Sequence, residues 1–498
     1  MSDTPFSTVI IASNRGPLSF SRDEHGESAA SRGTGGLVTA LTGALSHGGV
    51  WVASAMSEDD RAFAEAHPEG YVETTGEGAQ YRVRSLTFSP DEFDGYYNYV
   101  SNGILWFLHH YLWDTVRAPV WRADTQQAWE RYVAVNAAFA AALAEEAERA
   151  EGTPAFLIQD YHLSLVPAFL RDLIPDALIS HFSHTPMVGP TYIRILPTQI
   201  RRALLRGLLG ADVLGFHSQA WAQNFLESAR AIPEARVDFG RSRVLMEGRE
   251  ILVKEHPMSI EVAPMRELAN APHVAERRDE IEDMRGDGAL IVRVDRMELT
   301  KNILRGFLAF EAFLQRYPEW TGKVRFLALL SPSRTELPEY QSYTEDCLAE
   351  ADRINRELGT SSRTPIEIVY QEDYDGAVAA YTAYDVLMVN PVIDGLNLVS
   401  MEGPVVNRRH GVLLLSRNAG SYSRLRKYAI GVNPYDIDEQ AEALHRALTM
   451  PEEEKTQRAR GLSRLVRSNP PSRWISHQLR DLERVGTRRA WFNAGDRR

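Results

Sequence analysis

The chain has 498 residues, of which 44% are hydrophobic and 24% are charged, and its formal net charge is −12. This length exceeds that of one ordinary domain several-fold, so two large domains are expected. The negative charge argues against a general nucleic-acid binder, which needs a basic face. The single cysteine, Cys347, excludes an intrachain disulfide and a cysteine-based metal site.

The N-terminal segment MSDTPFSTVIIASNR has no basic region, and its apolar stretch has only the length of a strand. No other window of the sequence approaches the apolar length that a membrane span requires. We therefore expect a cytoplasmic protein with neither a membrane nor a nucleic acid as its partner.

Short apolar runs alternate with helix-length amphipathic stretches along the chain. The stretch 126–150 places Trp129, Tyr132 and Phe139 near one face and glutamates on the other, which predicts a helix. The runs that we predict as strands are 8–13, 50–54, 155–160, 178–184, 212–217, 289–295, 324–330, 366–371, 385–391 and 411–416. This alternation predicts an α/β fold with parallel sheets and helices on both sheet faces.

Two breaks interrupt the alternation. The segment 257–272 contains three prolines, and SNPPSRW at 468–474 precedes a basic, helix-like tail. We predict an N-terminal Rossmann-like domain over 1–257, a second over 258–468, and a helical tail over 469–498 that packs back on the first domain. Doubly wound sheets bind ligands at the carboxyl ends of their strands, so the two domains are expected to face each other across a cleft.

In the first half, polar residues and glycines follow the predicted strands. Arg15 follows the first strand, and Gly33, Gly35 and Gly36 precede an apolar helix. Such glycines allow backbone N–H groups to approach an anion, although a tight turn is the simpler alternative. The segment GTGGLV lacks the third glycine of the dinucleotide fingerprint, and the nearby Arg15 favours phosphate binding.

Asp160, Tyr161 and His162 end one predicted strand, and His184 ends the next. A single histidine is more often a hydrogen-bonded structural residue than a catalyst. No HxxxH or other metal-ligand spacing connects these histidines, so we predict no metal site.

In the second half, three cations follow neighbouring strands: Arg296 and Lys301 come after 289–295, and Arg334 comes after 324–330. Charges that serve only solubility have no reason to collect at one edge of a sheet. A departing diphosphate does need cations, because its developing charge is stabilised strongly in a water-poor site. We therefore predict that Arg296 and Lys301 bind a diphosphate.

The loop IDGLNLVSMEG after 385–391 contains Asp394, Asn397, Leu398 and Glu402. A helix predicted to start near Asn397 offers free backbone N–H groups, with Glu402 about two turns inside it. A solvated loop with an N-capping asparagine is the alternative.

Together these motifs resemble those of the trehalose-6-phosphate synthases, which are retaining nucleotide-sugar glycosyltransferases of the two-domain GT-B fold. The matching motifs are SNR, GGLV, YYNYVSNGILW, QDYHL, LLRGLLGADVLGFH, DR…TK, PSR, DGLNLV…E and VNPYD. The resemblance implies transfer of glucose from a nucleotide-glucose to glucose 6-phosphate, which gives trehalose 6-phosphate and a nucleoside diphosphate. The substrates are then small molecules, and a homo-oligomer is an open alternative.

The resemblance also implies roles for individual residues. The residues implied to bind the acceptor are Arg15, Tyr97, Trp106, Asp160, Tyr161 and Arg334. The residues implied to bind the donor are Gly35, Gly36, Arg296, Lys301, Asp394, Asn397, Leu398 and Glu402. The residues implied in catalysis are His184, Asp160, Arg296 and Lys301. The co-substrate is UDP-, GDP- or ADP-glucose. Because the leaving phosphate takes the acceptor proton, neither a metal nor another cofactor is implied.

Three departures from the family pattern leave related substrates open. Ser54 stands where the family often has a second tryptophan, Ile393 and Met401 replace charged residues, and HTPMV replaces HIPFP. These changes are compatible with a pseudo-glycosyltransferase that couples cyclitol units. A glucosylglycerol-phosphate synthase and a non-catalytic sugar-phosphate-binding regulator are also compatible with the sequence.

Overall fold

The computed structural model describes residues 6–22, 28–32, 36–45, 49–74, 80–360 and 363–495. The chain divides into two compact units. The first unit comprises the chain up to Met258 together with the segment from Pro471 onward, and the second unit comprises Ser259–Pro470.

The described strands of the first unit form a ten-stranded sheet and a separate hairpin. These strands are β1 Val9–Arg15, β2 Leu18–Arg22, β3 Ser28–Arg32, β4 Gly49–Ser54, β5 Tyr71–Thr74, β6 Gln80–Leu86, β7 Ala155–Gln159, β8 Leu178–Ser183, β9 Val213–Phe216, β10 Arg236–Asp238, β11 Arg243–Met246 and β12 Arg249–Glu255. The order across the sheet is β10-β11-β12-β9-β8-β7-β1-β4-β6-β5, and β2 pairs with β3.

The centre of this sheet is parallel, from β12 through β9, β8, β7, β1 and β4 to β6. Strands β7 and β8 are buried along their whole length, as expected for apolar runs covered on both faces. The pairs β5–β6, β10–β11 and β11–β12 are antiparallel and extend the sheet at its two edges. The predicted parallel sheet is confirmed, but seven strands of the first unit were not predicted, namely the hairpin strands β2 and β3 and the sheet strands β5, β6, β10, β11 and β12.

The helices of the first unit connect these strands. They are α1 Gly36–Ala44, α2 Glu58–Ala66, α3 Pro90–Phe93, α4 Trp106–His109, α5 Ala123–Arg149, α6 Val166–Leu173, α7 Thr198–Leu209 and α8 Gln219–Ala229. A π-helical segment, Asp94–Leu105, joins α3 to α4. Helix α5 confirms the helix predicted at 126–150, and its face with Trp129, Tyr132 and Phe139 is buried.

The described strands of the second unit form a six-stranded sheet in which every pair is parallel. They are β13 Ala289–Arg296, β14 Val324–Ser331, β15 Ile366–Tyr370, β16 Val386–Val389, β17 Val412–Ser416 and β18 Ile430–Val432. The order is β15-β14-β13-β16-β17-β18, which is that of a nucleotide-binding Rossmann-like sheet. The order in which successive strands are added reverses between β13 and β16, although the two strands are parallel. Such a switch point is where these sheets bind ligands.

The helices of the second unit pack around a core that includes Phe307, Phe310, Phe326 and Leu414. They are α9 Val262–Leu268, α10 Pro272–Arg285, α11 Ile303–Arg316, α12 Pro338–Leu358, α13 Tyr374–Ala383, α14 Val399–Val406, α15 Tyr422–Leu425, α16 Ile437–Leu448 and α17 Glu452–Arg467. Helix α9 lies inside the proline-containing segment 257–272, so this segment is partly helical.

The last helix, α18 Pro471–Gly495, belongs to the first unit, where it packs against α1, β8 and β9. Its Trp474 ring is buried edge-on against Phe182, and its Gln478 accepts a hydrogen bond from the Ser180 hydroxyl. Its Asp481 carboxylate lies 3.0 Å from Nε2 of His256.

Candidate active site

Strand order in the first unit also reverses, between β1 and β7. Arg15 is the last residue of β1, and Asp160 and Tyr161 follow β7 directly. Because β1 and β7 are parallel neighbours, their carboxyl ends reach the same edge of the sheet. The fold therefore brings these three predicted acceptor residues to the switch point.

The backbone around Arg15 is fixed by neighbouring side chains, while its own side chain is exposed. The Trp51 indole Nε1 donates to Ser13 Oγ at 2.7 Å, and that hydroxyl donates to the Arg15 carbonyl at 2.6 Å. The Tyr96 hydroxyl donates to Asn14 Oδ1 at 2.9 Å, which ties the π-helical segment to the end of β1. This arrangement presents the guanidinium group of Arg15 outward from a rigid base.

The predicted acceptor aromatics form one cluster. The Tyr161 ring lies 6.2 Å from the Trp106 ring and 4.0 Å from the His162 ring, between centroids. Tyr97, on the π-helical segment, stacks on His162 at 5.9 Å. Tyr161 is buried, and Tyr97 and Trp106 are half-buried. His162, which had no predicted role, is the residue that connects Tyr97 to Tyr161.

Asp160 has an unusual backbone and a perturbed carboxyl group. Its φ of 71° lies in the left-handed region, and its Oδ1 accepts hydrogen bonds from the backbone N–H groups of Tyr161 and His184 at 3.0 and 3.1 Å. Burial raises the pKa of Asp160 to about 6, although these N–H groups act in the opposite direction. Asp160 thus joins the ends of β7 and β8.

His184 is held by a directional chain of hydrogen bonds. The Met258 N–H lies 3.5 Å from His217 Nδ1, His217 Nε2 lies 3.2 Å from His184 Nδ1, and His184 Nε2 lies 3.1 Å from Gln159 Oε1. A backbone N–H can only donate, so His217 carries its proton on Nε2, and His184 in turn carries its own on Nε2.

Burial, together with the nearby rings of His217 and His181, lowers the pKa of His184 well below its ordinary value. The His184 ring is therefore neutral near neutral pH. In that state it can donate a hydrogen bond from Nε2, but it cannot supply a positive charge.

In the second unit, Glu298 is a fully buried carboxylate that holds two of the three predicted cations. Its Oε1 lies 2.8 Å from Arg296 Nη1, 2.8 Å from Arg334 Nη1, and 2.8 Å from the Ser333 hydroxyl that donates to it. Burial raises the pKa of Glu298, but Arg296, Arg334 and Lys301 together hold it below its ordinary value. Glu298 is thus ionised and draws guanidinium groups from two strand ends together.

Lys301 spans the switch point of the second unit. Its Nζ lies 2.7 Å from Asp394 Oδ2, which also accepts a hydrogen bond from Asn397 Nδ2 at 3.2 Å. Burial lowers the pKa of Lys301, but Asp394 and Asp295 raise it above its ordinary value. The chain after β13 and the chain after β16 are therefore joined by a charged pair.

Asn397 and Leu398 precede α14, which begins at Val399. Asn397 has a φ of 77°, and its Oδ1 accepts a hydrogen bond from the Ser400 N–H at 3.0 Å, so the asparagine satisfies one backbone donor of the first turn although Leu398 occupies the N-cap position. The predicted depth of Glu402 was wrong, because the helix starts later than expected and Glu402 lies in its first turn.

Glu402 contacts Tyr381, whose hydroxyl donates to the Glu402 carboxylate at 3.0 Å. Burial raises the pKa of Glu402, and the Tyr381 hydroxyl opposes that change. In the described part of the chain, no hydrogen bond or ion pair joins Glu402 to Lys301, or Arg15 to Asp160.

The two glycines predicted to bind the donor precede or begin the first helix. Gly36 is the first residue of α1, and Gly35 lies outside the described residues.

A buried arginine, Arg293, fixes the backbone that carries Lys301, and this residue was not predicted as part of the site. Arg293 on β13 is fully buried and donates to the carbonyl groups of Lys301 at 3.1 Å and Asn302 at 3.3 Å, and to Asn390 Oδ1. Its Nε also lies 3.2 Å from Asp295 Oδ2. An arginine inside the apolar run ALIVRVDR was the available signal, because a buried charge must be paired.

Asp295 completes this group. Burial raises the pKa of Asp295 to about 6, against the influence of Arg293 and Lys301.

The described residues contain no cluster of His, Cys, Asp and Glu side chains arranged to hold a metal ion. None of the described helices is both long and apolar enough to cross a membrane.

Comparison with known proteins shows which protein family the chain belongs to. Residues 7–484 match the model of glycosyltransferase family 20. The chain is 31% identical over 484 residues to validamine 7-phosphate valienyltransferase from Streptomyces hygroscopicus subsp. jinggangensis, an alignment that covers 96% of this chain and 94% of that protein. It is 32% identical over 487 residues to the UDP-forming alpha,alpha-trehalose-phosphate synthase from Schizosaccharomyces pombe, covering 96% and 90%.

Solved structures agree. The fold superposes with a TM-score of 0.82 and 28% identity on an E. coli trehalose-6-phosphate protein bound with UDP-2-fluoro glucose, covering 95% of this chain and 98% of that chain. A Burkholderia xenovorans trehalose-phosphate synthase in complex with glucose-6-phosphate gives 0.79 and 27%, covering 96% and 99%.

These similarities define a GT-B glycosyltransferase that uses a nucleotide sugar, as predicted. The chain belongs to glycosyltransferase family 20. The predicted fold class, family and enzyme class are thereby confirmed.

Proposed function

We propose that the protein transfers a glucosyl group, with retention of configuration, from a nucleotide-glucose to glucose 6-phosphate. The products are trehalose 6-phosphate and a nucleoside diphosphate. The observation that carries this proposal is the cation group of the second unit, in which Arg296 and Arg334 share the buried Glu298 and Lys301 pairs with Asp394. UDP-forming trehalose-phosphate synthases are also among the relatives.

In the proposed reaction, Arg296 and Lys301 bind the leaving diphosphate. Because Glu298 and Asp394 already hold these cations, little reorganisation is needed when negative charge develops on the diphosphate. The departing phosphate oxygen takes the acceptor hydroxyl proton, so the reaction needs neither a metal nor a nucleophilic carboxylate. Arg334 is proposed for the acceptor phosphate, which a planar guanidinium can bind through two parallel hydrogen bonds.

In the first unit, we assign Arg15 to phosphate binding and the cluster of Tyr97, Trp106 and Tyr161 to the acceptor sugar. Aromatic rings with polar edges suit a sugar, which has an apolar face and peripheral hydroxyl groups. The neutral His184 is proposed to donate from Nε2 to a hydroxyl of the transferred glucose, in exchange for its hydrogen bond to Gln159.

One observation favours a second candidate, an aminocyclitol phosphate as acceptor. Ser54 ends β4 in register with Arg15, and its buried Oγ lacks a hydrogen-bond partner among the described residues. A buried hydroxyl without a partner is costly, which favours a ligand whose polar group reaches it. Validamine 7-phosphate valienyltransferase is the relative that matches this candidate by name.

The test is a matrix of UDP-, ADP- and GDP-glucose against glucose 6-phosphate, glycerol 3-phosphate and validamine 7-phosphate, with products identified by mass spectrometry. A disaccharide phosphate as the main product would support the proposal and name the donor. Preference for glycerol 3-phosphate or validamine 7-phosphate would move the protein to another branch of the family. Nucleotide binding without any product would contradict the proposal and favour a regulator.

A further inference from the structure

A cavity of about 670 Å³ lies in the first unit, and its lining begins at Pro190, six residues after His184. Its walls are formed by the chain between β8 and α7, by Arg201 of α7, by α8 from Gln223 onward with the two residues that follow it, and by Phe239. None of its lining residues belongs to the candidate active site. This volume is within the range of roughly 300–1,000 Å³ that small-molecule sites occupy.

Hydrogen bonds between the walls hold the cavity open. Asn224 of α8 donates through Nδ2 to the Met187 carbonyl at 2.6 Å, and Ser228 Oγ donates to the Val188 carbonyl at 3.4 Å. On the other side, the Trp121 indole Nε1 donates to the Ile195 carbonyl at 2.8 Å. The loop that carries one wall is thus fixed to α8, and the cavity is preformed rather than a gap between mobile segments.

The lining of the cavity is strongly cationic. Three arginines line it, namely Arg194, Arg201 and Arg230, against one carboxylate, Glu227. Glu227 Oε1 already accepts a hydrogen bond from the Gln223 amide at 3.2 Å. Within the described ranges, none of the three arginines forms an ion pair.

The environment of these arginines differs from that of Arg206, which lies on the same helix as Arg201. Arg206 is paired with Glu234 at 3.0 Å. The Nε atom of Arg201, in contrast, is buried and has no hydrogen-bond partner among the described residues. A buried N–H that lacks an acceptor is costly, so this donor favours a ligand that supplies the missing oxygen.

One rim of the cavity is apolar. Phe239 is 41% exposed, which leaves much of its aromatic ring open, and Pro190 and the buried Ile193 also line the cavity. The lining therefore combines a cluster of guanidinium groups with a surface for a ring. Guanidinium groups recognise phosphate oxygens through paired hydrogen bonds and stack on planar groups.

We propose that this cavity binds a small phosphate ester, with its phosphate on Arg194, Arg201 and Arg230 and its organic ring against Phe239. Sugar phosphates and nucleoside monophosphates share this chemistry. The site is independent of the proposed glucosyl transfer, because it uses none of the residues assigned to the donor or the acceptor.

Hydrogen–deuterium exchange of the full chain tests the site, because it reports binding peptide by peptide. The probes are AMP, glucose 6-phosphate and inorganic phosphate. We expect slower exchange in peptides covering 190–201 and 223–239, and half-saturation on the order of tenfold weaker in the Arg194→Ala/Arg201→Ala variant. Stronger protection by AMP would identify a nucleoside phosphate, and stronger protection by glucose 6-phosphate a sugar phosphate.

Arg202→Ala is the matched control, because Arg202 is exposed on α7 beside Arg201 but does not line the cavity. The control should bind as the unmodified chain does. Exchange in α5 reports whether the double variant is folded, and Arg201→Gln provides a milder change. Absence of protection in both segments with every probe would overturn the site, as would protection that persists unchanged in the folded double variant.

Discussion

Arg296 and Lys301 are held by carboxylates at the ends of parallel strands, and this makes their contribution to catalysis measurable. Replacement of either residue by alanine should lower kcat by about 10²- to 10³-fold, because diphosphate charge grows in the transition state. The measurement is steady-state kinetics with the donor identified by the substrate matrix. A kcat within a factor of about two of the unmodified value for both variants would contradict the assignment.

Two further variants sharpen this prediction. Arg334→Ala should chiefly raise the apparent KM for the phosphorylated acceptor, because that arginine is assigned to the acceptor phosphate. Arg316→Ala, at the exposed end of α11, should leave both constants unchanged.

Arg293 makes a different prediction, because it is fully buried and hydrogen-bonds to backbone carbonyls at the start of α11. Arg293→Met should lower the free energy of unfolding by about 3–5 kcal/mol, since Asp295 and Asn390 lose a buried partner. Urea denaturation measures this change. A loss of less than about 1 kcal/mol would mean that water or rearrangement replaces the guanidinium group.

Gly306 provides a matched partner for a double-mutant cycle. A Cβ at residue 306 would lie 2.8 Å from Arg293 Nη1, so Gly306→Ala alone should also destabilise the protein. In the Arg293→Met background, the same glycine change should cost less, because the crowding atom is gone. Additive effects would show that the two sites do not interact.

Several of these residues could not be assigned from the sequence. Glu298 was visible between two cations, but its bond to Arg334 joins residues 36 positions apart. The bond from Arg293 to Asn390 joins residues 97 positions apart. Charge spacing along a strand end predicts that cations gather there, whereas the identity of each partner depends on how distant loops pack.

At the scale of secondary-structure elements, the continuous apolar strands at the centre of each sheet were predictable, as was the edge strand β15, whereas most strands toward the two edges of the larger sheet were not. Strands such as β7 and β8 are continuous apolar runs because both faces are covered. The edge strand β5 is only four residues long and has no fully buried position, so it lacks the continuous apolar run from which the other strands were predicted. The π-helical segment was likewise not predicted, because helix prediction assumes the α-helical period.

Helix α18 is attached to the first unit through a buried carboxylate. Asp212 is fully buried, forms a salt bridge with Arg171 at 2.8 Å, and pairs with Arg489 of α18. Arg249 lies 4.0 Å away. One carboxylate thus lies within 4.0 Å of three guanidinium groups, and one of these, Arg489, belongs to α18. The attachment of the helix at this point therefore depends on the negative charge of Asp212.

Two substitutions should therefore differ in severity. Asp212→Asn leaves the arginines around a neutral group and should cost about 3–5 kcal/mol of unfolding free energy. Arg489→Ala removes one cation and leaves Asp212 paired with Arg171, so it should cost less and chiefly increase proteolysis of α18. Chemical denaturation and limited proteolysis compare the two. A larger loss in Arg489→Ala would contradict the central role of Asp212.

On the scale of the whole molecule, each unit gathers predicted site residues at its own switch point. This much follows from strand order, because loops at a reversal diverge and leave room for a ligand. The same burial that forms the sites also changes proton binding, since it raises the pKa of Asp160 in the first unit and of Asp295 in the second, each to about 6. The stability of the protein should therefore depend on pH at both sites.

The sign of this dependence follows from linkage. The pKa of Asp295 rises from 3.8 to about 6 in the folded protein, so the unfolded chain releases this proton first. Stability that Asp295 contributes at low pH is lost as the pH rises from about 4 to about 6, and it changes little above that range. The loss is about 3 kcal/mol for a shift of this size.

Asp295→Asn should remove this part of the pH dependence, because the amide keeps the shape of the side chain but does not titrate. The measurement is the difference in unfolding free energy between the variant and the unmodified chain, from urea denaturation at pH 4 to 7. Taking the difference matters, because Glu298 has a lowered pKa and contributes in the opposite direction. Asp283→Asn, on the exposed side of α10, is the control. The difference should grow in favour of the Asp295→Asn variant between pH 4 and 6, and a constant difference would show that Asp295 ionises at its ordinary pKa.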